Sequence, residues 1–206
     1  MAFLSGRLGH ALGWALSLCI LLCASVYPTD LDQRYRESKN GQHNPFVMGV
    51  ETVGRHVNTA LPFVLVLATR DAVGLKQLAG ITVVGILASH GPKRLLNDVE
   101  VWGTRLGERP SSPNSKHNMP SGHSTLASAG AYFVMRRYSF WFGLIVLPVL
   151  GLTMYARVML DAHTVSATIA GAMTGMIVAA LFARPTPRLR ETLWALSLRF
   201  AVLTKM

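Results

Sequence analysis

The chain has 206 residues, half of them apolar, only 15% charged, with a formal net charge of +10. A soluble domain carries roughly 25% charged residues, and here the apolar residues come in long blocks, so the composition excludes an ordinary soluble protein and indicates a single polytopic membrane domain over residues 1–206. No basic stretch is interleaved with aromatic residues, which argues against nucleic acid as a partner; inward-facing loops and an anionic headgroup site account for the charge instead.

Arg7 followed by Leu8–Tyr27 reads as a first membrane helix that is retained, because the run is long for a signal peptide and has no evident cleavage site. Cys19 and Cys23 stand four apart on it, where a disulfide would strain the helix, so they read as packing residues. Pro28–Asn44 is a polar loop rich in charge (Asp30, Asp32, Arg34, Arg36, Glu37, Lys39). From Pro45, the residues Phe46, Val50, Val53 and Val57 fall at helical spacing, with Glu51, Arg55 and His56 opposite. That pattern predicts an amphipathic interfacial segment leading into a second helix that ends near Leu67. His10 and His56 are expected as ordinary polar packing residues.

Arg70-Asp71 is a tight connection to a third helix, Ala72–Ser89, after which the chain turns basic at His90-Gly91-Pro92-Lys93-Arg94. Residues Leu95–Met119 form a loop rich in Asn, Gly, Pro and Ser, with Asp98, Glu100, Arg105, Glu108, Arg109 and Lys116. The fourth helix, Gly122–Met135, is rich in small residues that allow close helix packing, and Arg136-Arg137 closes it as a topology determinant. Phe140–Tyr155 is the fifth helix, Arg157–Ser166 a short polar break, and Ala167–Ala183 the sixth helix. The tail, residues 184–206, is basic and partly amphipathic, suited to lying on the inner leaflet. The expected fold is therefore all-α, six transmembrane helices in a bundle.

Six spans put both termini on one side and bring the Lys93–His123 loop and the Arg157–His163 turn together on the other. The terminal side has short, basic connections, so the positive-inside rule places it in the cytoplasm and the shared rim outside.

The chemistry concentrates at Asn118-Met119-Pro120-Ser121-Gly122-His123-Ser124-Thr125, a polar turn running into an apolar helix. Pro120 and Gly122 supply the turn and a serine caps the helix. A helix start aims free backbone N–H groups at one spot, a ready anion site. Arginine holds phosphate by two parallel bonds and lysine adds a point charge, while one histidine can attack phosphorus and another protonate the leaving oxygen. Lys93, Arg109, Arg157, His123 and His163 supply that set, and no Walker-type loop is present.

These residues resemble the type-2 phosphatidic acid phosphatase family, the membrane branch of the vanadium haloperoxidase superfamily. Its middle motif is complete at Pro120-Ser121-Gly122-His123, its third is represented by Arg157 and His163, and its first by Lys93 with Arg109-Pro110, so the core motifs span residues 93–171. The resemblance implies that His163 is the nucleophile and forms a phosphohistidine, and that His123 is the general acid. Lys93, Arg109, Ser121, Gly122 and Arg157 would bind the substrate phosphate, with Arg94, Asp161 and His117 as auxiliary residues. It implies no metal and no other cofactor. The implied substrates are membrane lipids: a phospholipid, lipid A 1-phosphate or a polyprenyl phosphate such as undecaprenyl pyrophosphate. The implied place is the inner membrane, with the site facing the periplasm. Asn-Met before the middle motif and His163-Thr164 tilt the likeness towards lipid A phosphatases.

The chain departs from the family pattern in three places. In strict register the first-motif Arg-Pro would fall at Glu100-Val101, so Arg109 arrives late, and Arg94 or Arg105 could share its work. Ala156 replaces the serine before Arg157. Ala167 replaces the aspartate that would orient the imidazole of His163, leaving Asp161, Asp98, Glu100 or a backbone carbonyl to do so, and Ala167→Asp is expected to be tolerated or activating. Three other readings remain open: a phosphotransferase using the same phosphohistidine, a zinc hydrolase built on His90, His117, His123 and His163, and a degenerate protein that binds an anionic lipid. Irregular spacing and the lack of paired carboxylates argue against the zinc reading.

Overall fold

The computed structural model describes residues 2–27, 29, 31 and 37–186, with side chains from residue 12 onward. The tail readings beyond residue 186, the loop charges at 30, 32, 34 and 36, and the side chain of His10 lie outside the described residues. The described chain is mostly helical. Helix α1 is Ala2–Val26, α2 Pro45–Gly49, α3 Arg55–Ala68, α4 Ala72–Leu95, α5 Gly122–Arg137, α6 Gly143–Met159 and α7 Val165–Phe182. A π-helical turn, Val50–Gly54, joins α2 to α3. Among the described residues, three stretches are long and apolar enough to cross a membrane: Ala72–Leu95, Phe140–Met159 and Val165–Phe182. Leu12–Val26 is a shorter apolar helix.

Helix starts follow from side chains that accept the first free N–H groups. Asn44 accepts from Phe46 and Val47, with Pro45 next to it; Asp71 accepts from Gly74, Ser121 from Ser124, and Thr164 from Ala167. Two helix ends lie further along than the sequence suggests. Helix α4 does not stop at Ser89 but runs through Pro92 to Leu95, and α6 runs to Met159. Proline removes one helix bond, whereas cations in a last turn meet the negative end of the helix dipole. Lys93 and Arg157 therefore ride on rigid helix ends rather than in loops.

The loop after α4 is not wholly irregular. Strands β1 (Glu100–Val101) and β2 (Thr104–Arg105) pair antiparallel around Trp102-Gly103, both at positive φ. This small ribbon is an addition to the expected all-α fold, and it fills part of the extra length between Lys93 and Arg109.

Helix α5 lies at the centre, against α3, α4, α6 and α7. Glycines let the backbones meet: a Cβ on Gly171 of α7 would fall on the carbonyl oxygen of Ser121, one on Gly175 on that of Thr125, and one on Gly130 of α5 on that of Asn58. Towards one end the core is Val66, Leu78, Ile81, Phe133, Val134, Val178 and Ala179. There Arg137 is buried, gripping Asp71 with Nε and Nη2 and donating to Gln77 and to the carbonyl of Arg184. Arg137 thus locks that rim internally, beyond the topology role expected for it. Towards the other end Ala24, Leu106, Met119, Ala167 and Ala170 pack together, and Val47 and Val50 pack on Ala156.

Of the apolar residues at helical spacing over 46–57, Val50 packs inward beside Val47, whereas Phe46, Val53 and Val57 are exposed. A π-helical turn holds one more residue than an α turn, which rotates the register and swings Glu51 and Arg55 inward.

Candidate functional site

At the second rim, four helix ends and one loop converge. Ser121 caps α5, and its N–H donates to the carbonyl of Ala167 at 2.9 Å, which fastens the start of α5 to α7. A methyl group built on Gly122 would stand 3.3 Å from Lys93 Nζ, so the lysine at the end of α4 lies over the start of α5. Both Lys93 and Arg157 are about nine-tenths buried.

Two guanidinium groups in this site have an open edge. Arg109 donates through Nη2 to the carbonyl of His117 at 3.3 Å, and Arg157 through Nη1 to Glu51 Oε1 at 2.6 Å. The Nε–H of each is buried and has no acceptor among the described residues. Unpaired buried donors are costly, and two of them beside a lysine and a helix start outline a place for an anion. Burial, and then the charge of Arg157, pull Arg109 below its ordinary pKa. Arg109 and Arg157 in turn bear on Lys93, so the three cations share one field.

His163 is 2% exposed. Its Nδ1 lies 2.9 Å from the main-chain oxygen of Asn118 and 3.3 Å from Asn118 Oδ1. Both atoms are acceptors, so Nδ1 carries the proton and Nε2 holds a free lone pair. Burial first, then Arg157, Arg109 and Lys93, hold His163 well below the usual imidazole range. It is therefore neutral, the form a nucleophile requires. Asn118 is itself fixed: its Oδ1 accepts from Thr164 N at 3.1 Å and its Nδ2 donates to Thr164 Oγ1 at 3.2 Å.

His123 presents Nε2 to Arg55 Nη1 at 3.3 Å. It lies in the field of Arg157, Arg55, Glu51 and Lys93. The structure thus brings Lys93, Arg109, Ser121, Gly122, His123, Arg157 and His163 to one rim. The auxiliary residues fall elsewhere. Arg94 is exposed. Asp161 accepts from Ser38 Oγ and Lys39 N, tethering the chain before α2, while Nδ1 of His163 is taken by Asn118 instead. His117 contributes its carbonyl to Arg109 while its residue surface is exposed. Arg105 spends its donors on the carbonyls of Asn97, Pro113 and Ser115 and so builds the loop. His90 is exposed. Among the described residues, no three His, Cys, Asp or Glu side chains converge as metal ligands.

Glu51 and Arg55, which the sequence places opposite the apolar spacing of residues 46–57, lie outside the motifs and are not singled out by them. The available signal was their charge: an acid and a base at the edge of an apolar chain are functional by default.

A family model described as the PAP2 superfamily matches residues 2–191. Among curated proteins, the chain is 44% identical over 171 residues to a lipid A 1-phosphatase of Helicobacter pylori strain J99, covering 83% of this chain and 86% of that one. It is 44% identical over 135 residues to the lipid A 1-phosphatase of strain 26695, covering 66% and 70%. It is 35% identical over 132 residues to a lipid A 4'-phosphatase of strain J99, covering 63% and 65%. No solved structure matches.

Proposed function

The chain belongs to the PAP2 superfamily, and we propose that it is an integral membrane phosphatase that hydrolyses the 1-phosphate of lipid A through a phosphohistidine. The observation that carries this reading is the pair of buried Nε–H donors of Arg109 and Arg157, without acceptors among the described residues, in the same site as His163, whose free nitrogen is Nε2. The substrate choice rests on the relatives named lipid A 1-phosphatase.

Arg109, Arg157, Lys93 and the N–H groups at the start of α5 hold the non-bridging oxygens and stabilise the charge that spreads over them in the transition state. His163 Nε2 attacks phosphorus, forming the P–N bond as the bond to the sugar oxygen breaks. The bound phosphate favours the protonated form of His123, which hands its proton to that oxygen. Water then attacks the phosphohistidine, His123 takes a proton from it, and inorganic phosphate leaves with His163 restored. We place the helices as six spans with residues 45–54 at the interface, in the inner membrane, and the site on the outer side.

The test is phosphate release by the purified protein from lipid A 1-phosphate, undecaprenyl pyrophosphate and phosphatidic acid, beside His163→Ala and His123→Ala. Lipid A 1-phosphate is expected to be the best substrate, and each variant to lose most activity while folded. Tight lipid binding without release would favour the binding-protein reading, and transfer of phosphate to a second lipid the phosphotransferase reading.

A further inference from the structure

Glu51 and Arg55 sit on the segment that the family motifs do not reach, yet they connect two parts of the site. Glu51 Oε1 accepts from Arg157 Nη1 and also from Arg55 Nη1. Its other oxygen is buried without a partner among the described residues. Arg55 continues to His123 Nε2. The result is an unbroken path from Arg157 through Glu51 and Arg55 to His123, carried on the π-helical turn. Such turns occur often at functional sites.

The donor chemistry makes the path directional. A guanidinium only donates, so where Arg55 meets Nε2, that nitrogen must accept. The proton on the resting His123 ring is then on Nδ1. At the other end, Glu51 takes one corner of Arg157, and the Nε of Arg157 is buried with no acceptor among the described residues.

Resting on the phosphatase reading above, we propose that Glu51 and Arg55 are positioning residues of the active site. Glu51 fixes Arg157 so that its open edge faces the substrate phosphate, and Arg55 keeps Nε2 of His123 unprotonated until that phosphate arrives. An incoming phosphate draws Arg55 off, Nε2 takes the proton of a solvent hydronium and leaves water behind, and that proton goes to the leaving oxygen.

The experiment uses the full chain in detergent micelles, with Glu51→Gln, Arg55→Ala and Arg55→Lys. It reads kcat, KM and the pH profile on lipid A 1-phosphate, and the imidazole nitrogens by NMR with His123→Ala for assignment. The charges facing His123 are Arg157 from α6, Lys93 from α4, and Glu51 and Arg55. Arg55→Ala removes a cation beside His123 and moves the basic limb of the profile to higher pH, whereas Glu51→Gln removes an anion and moves it to lower pH. Arg55→Lys leaves the limb near its original place.

For Glu51→Gln, kcat falls about tenfold or more, the usual effect of losing one charged hydrogen bond. KM does not rise, because the site keeps all its cations. In Arg55→Ala the NMR signals show the fixed Nδ1–H tautomer of His123 giving way to a mixture. Basic limbs that coincide in all four proteins, with an unchanged tautomer, overturn the proposal, even if thermal stability falls. Wild type that releases no phosphate from any lipid overturns the phosphatase reading, while the NMR arm still decides whether Arg55 sets the proton on His123.

Discussion

The orientation of His163 by Asn118 can be tested by Asn118→Asp, a change of one atom that places a carboxylate where the family pattern has one from residue 167. The side chain keeps its position: Oδ1 remains 3.3 Å from His163 Nδ1 and 3.1 Å from Thr164 N, and the second oxygen accepts from the Thr164 hydroxyl once that turns to donate. At an effective dielectric of about 20, opposite unit charges 3.3 Å apart attract by about 5 kcal/mol. Charge partners in proteins ordinarily realise part of that, about one to three pH units. In the proposed reaction His163 must be neutral to attack, and burial with three neighbouring cations holds its titration well below the usual imidazole range, so wild-type kcat/KM should persist as pH falls through that range. The new carboxylate favours the imidazolium and raises the acid limb towards neutrality. The assay is phosphate release from lipid A 1-phosphate between about pH 4 and 9, with melting followed alongside. Asn118→Ala is the companion: it leaves the main-chain contact to Nδ1 but strips Thr164 N of its buried acceptor, a cost of about 1–3 kcal/mol. A folded Asn118→Asp protein with an unmoved acid limb would refute the assignment of Asn118 and of His163 as the titrating nucleophile.

Two other substitutions test the packing that holds the site. Ala167→Asp, expected from the sequence to be tolerated or activating, is now expected to abolish activity and lower the melting temperature. Ala167 is fully buried against Met119 and Ala170, and Nδ1 of His163 is already taken, so the carboxylate would be buried unpaired at a cost on the order of several kcal/mol. Retained activity in phosphate release would show that the cluster opens to admit it. Gly171→Ala should cost about 1–3 kcal/mol in melting or denaturant experiments, because its Cβ meets the main chain of Ser121 rather than a side chain that can turn away. Gly85→Ala, inside α4 with open space around the added methyl, is the control that should hold or raise stability, by up to about 1 kcal/mol.

Much of the helix pattern and the middle motif was legible because both are local. Apolar blocks mark the helices, and Pro120 and Gly122 with a serine cap mark the start of α5 through bonds within a few residues. What escaped depends on contacts made across the chain. The sequence suggests loop positions for Lys93 and Arg157, because Pro92 and the polar stretch after Arg157 look like helix stops. Tertiary packing carries both helices past those signals. Glu51 and Arg55 reach the site through a π-helical turn, which a uniform period of 3.6 residues does not reveal.

The replacement of the missing aspartate shows the same division. A carboxylate at residue 167 would reach His163 from one turn further along the same helix start, a relation visible in spacing alone. Asn118 comes from 45 residues earlier and meets His163 with its main chain, which no residue type announces. The side chain leaves a trace in composition, since it ties the loop to the cap of α7 through Thr164. With Nδ1 satisfied from the loop, residue 167 is released from chemistry and serves packing: its carbonyl accepts from Ser121 N and its methyl group lies against Met119. An alanine there is therefore compatible with a working imidazole, and the departure from the family pattern is no sign by itself of a site that has lost its reaction.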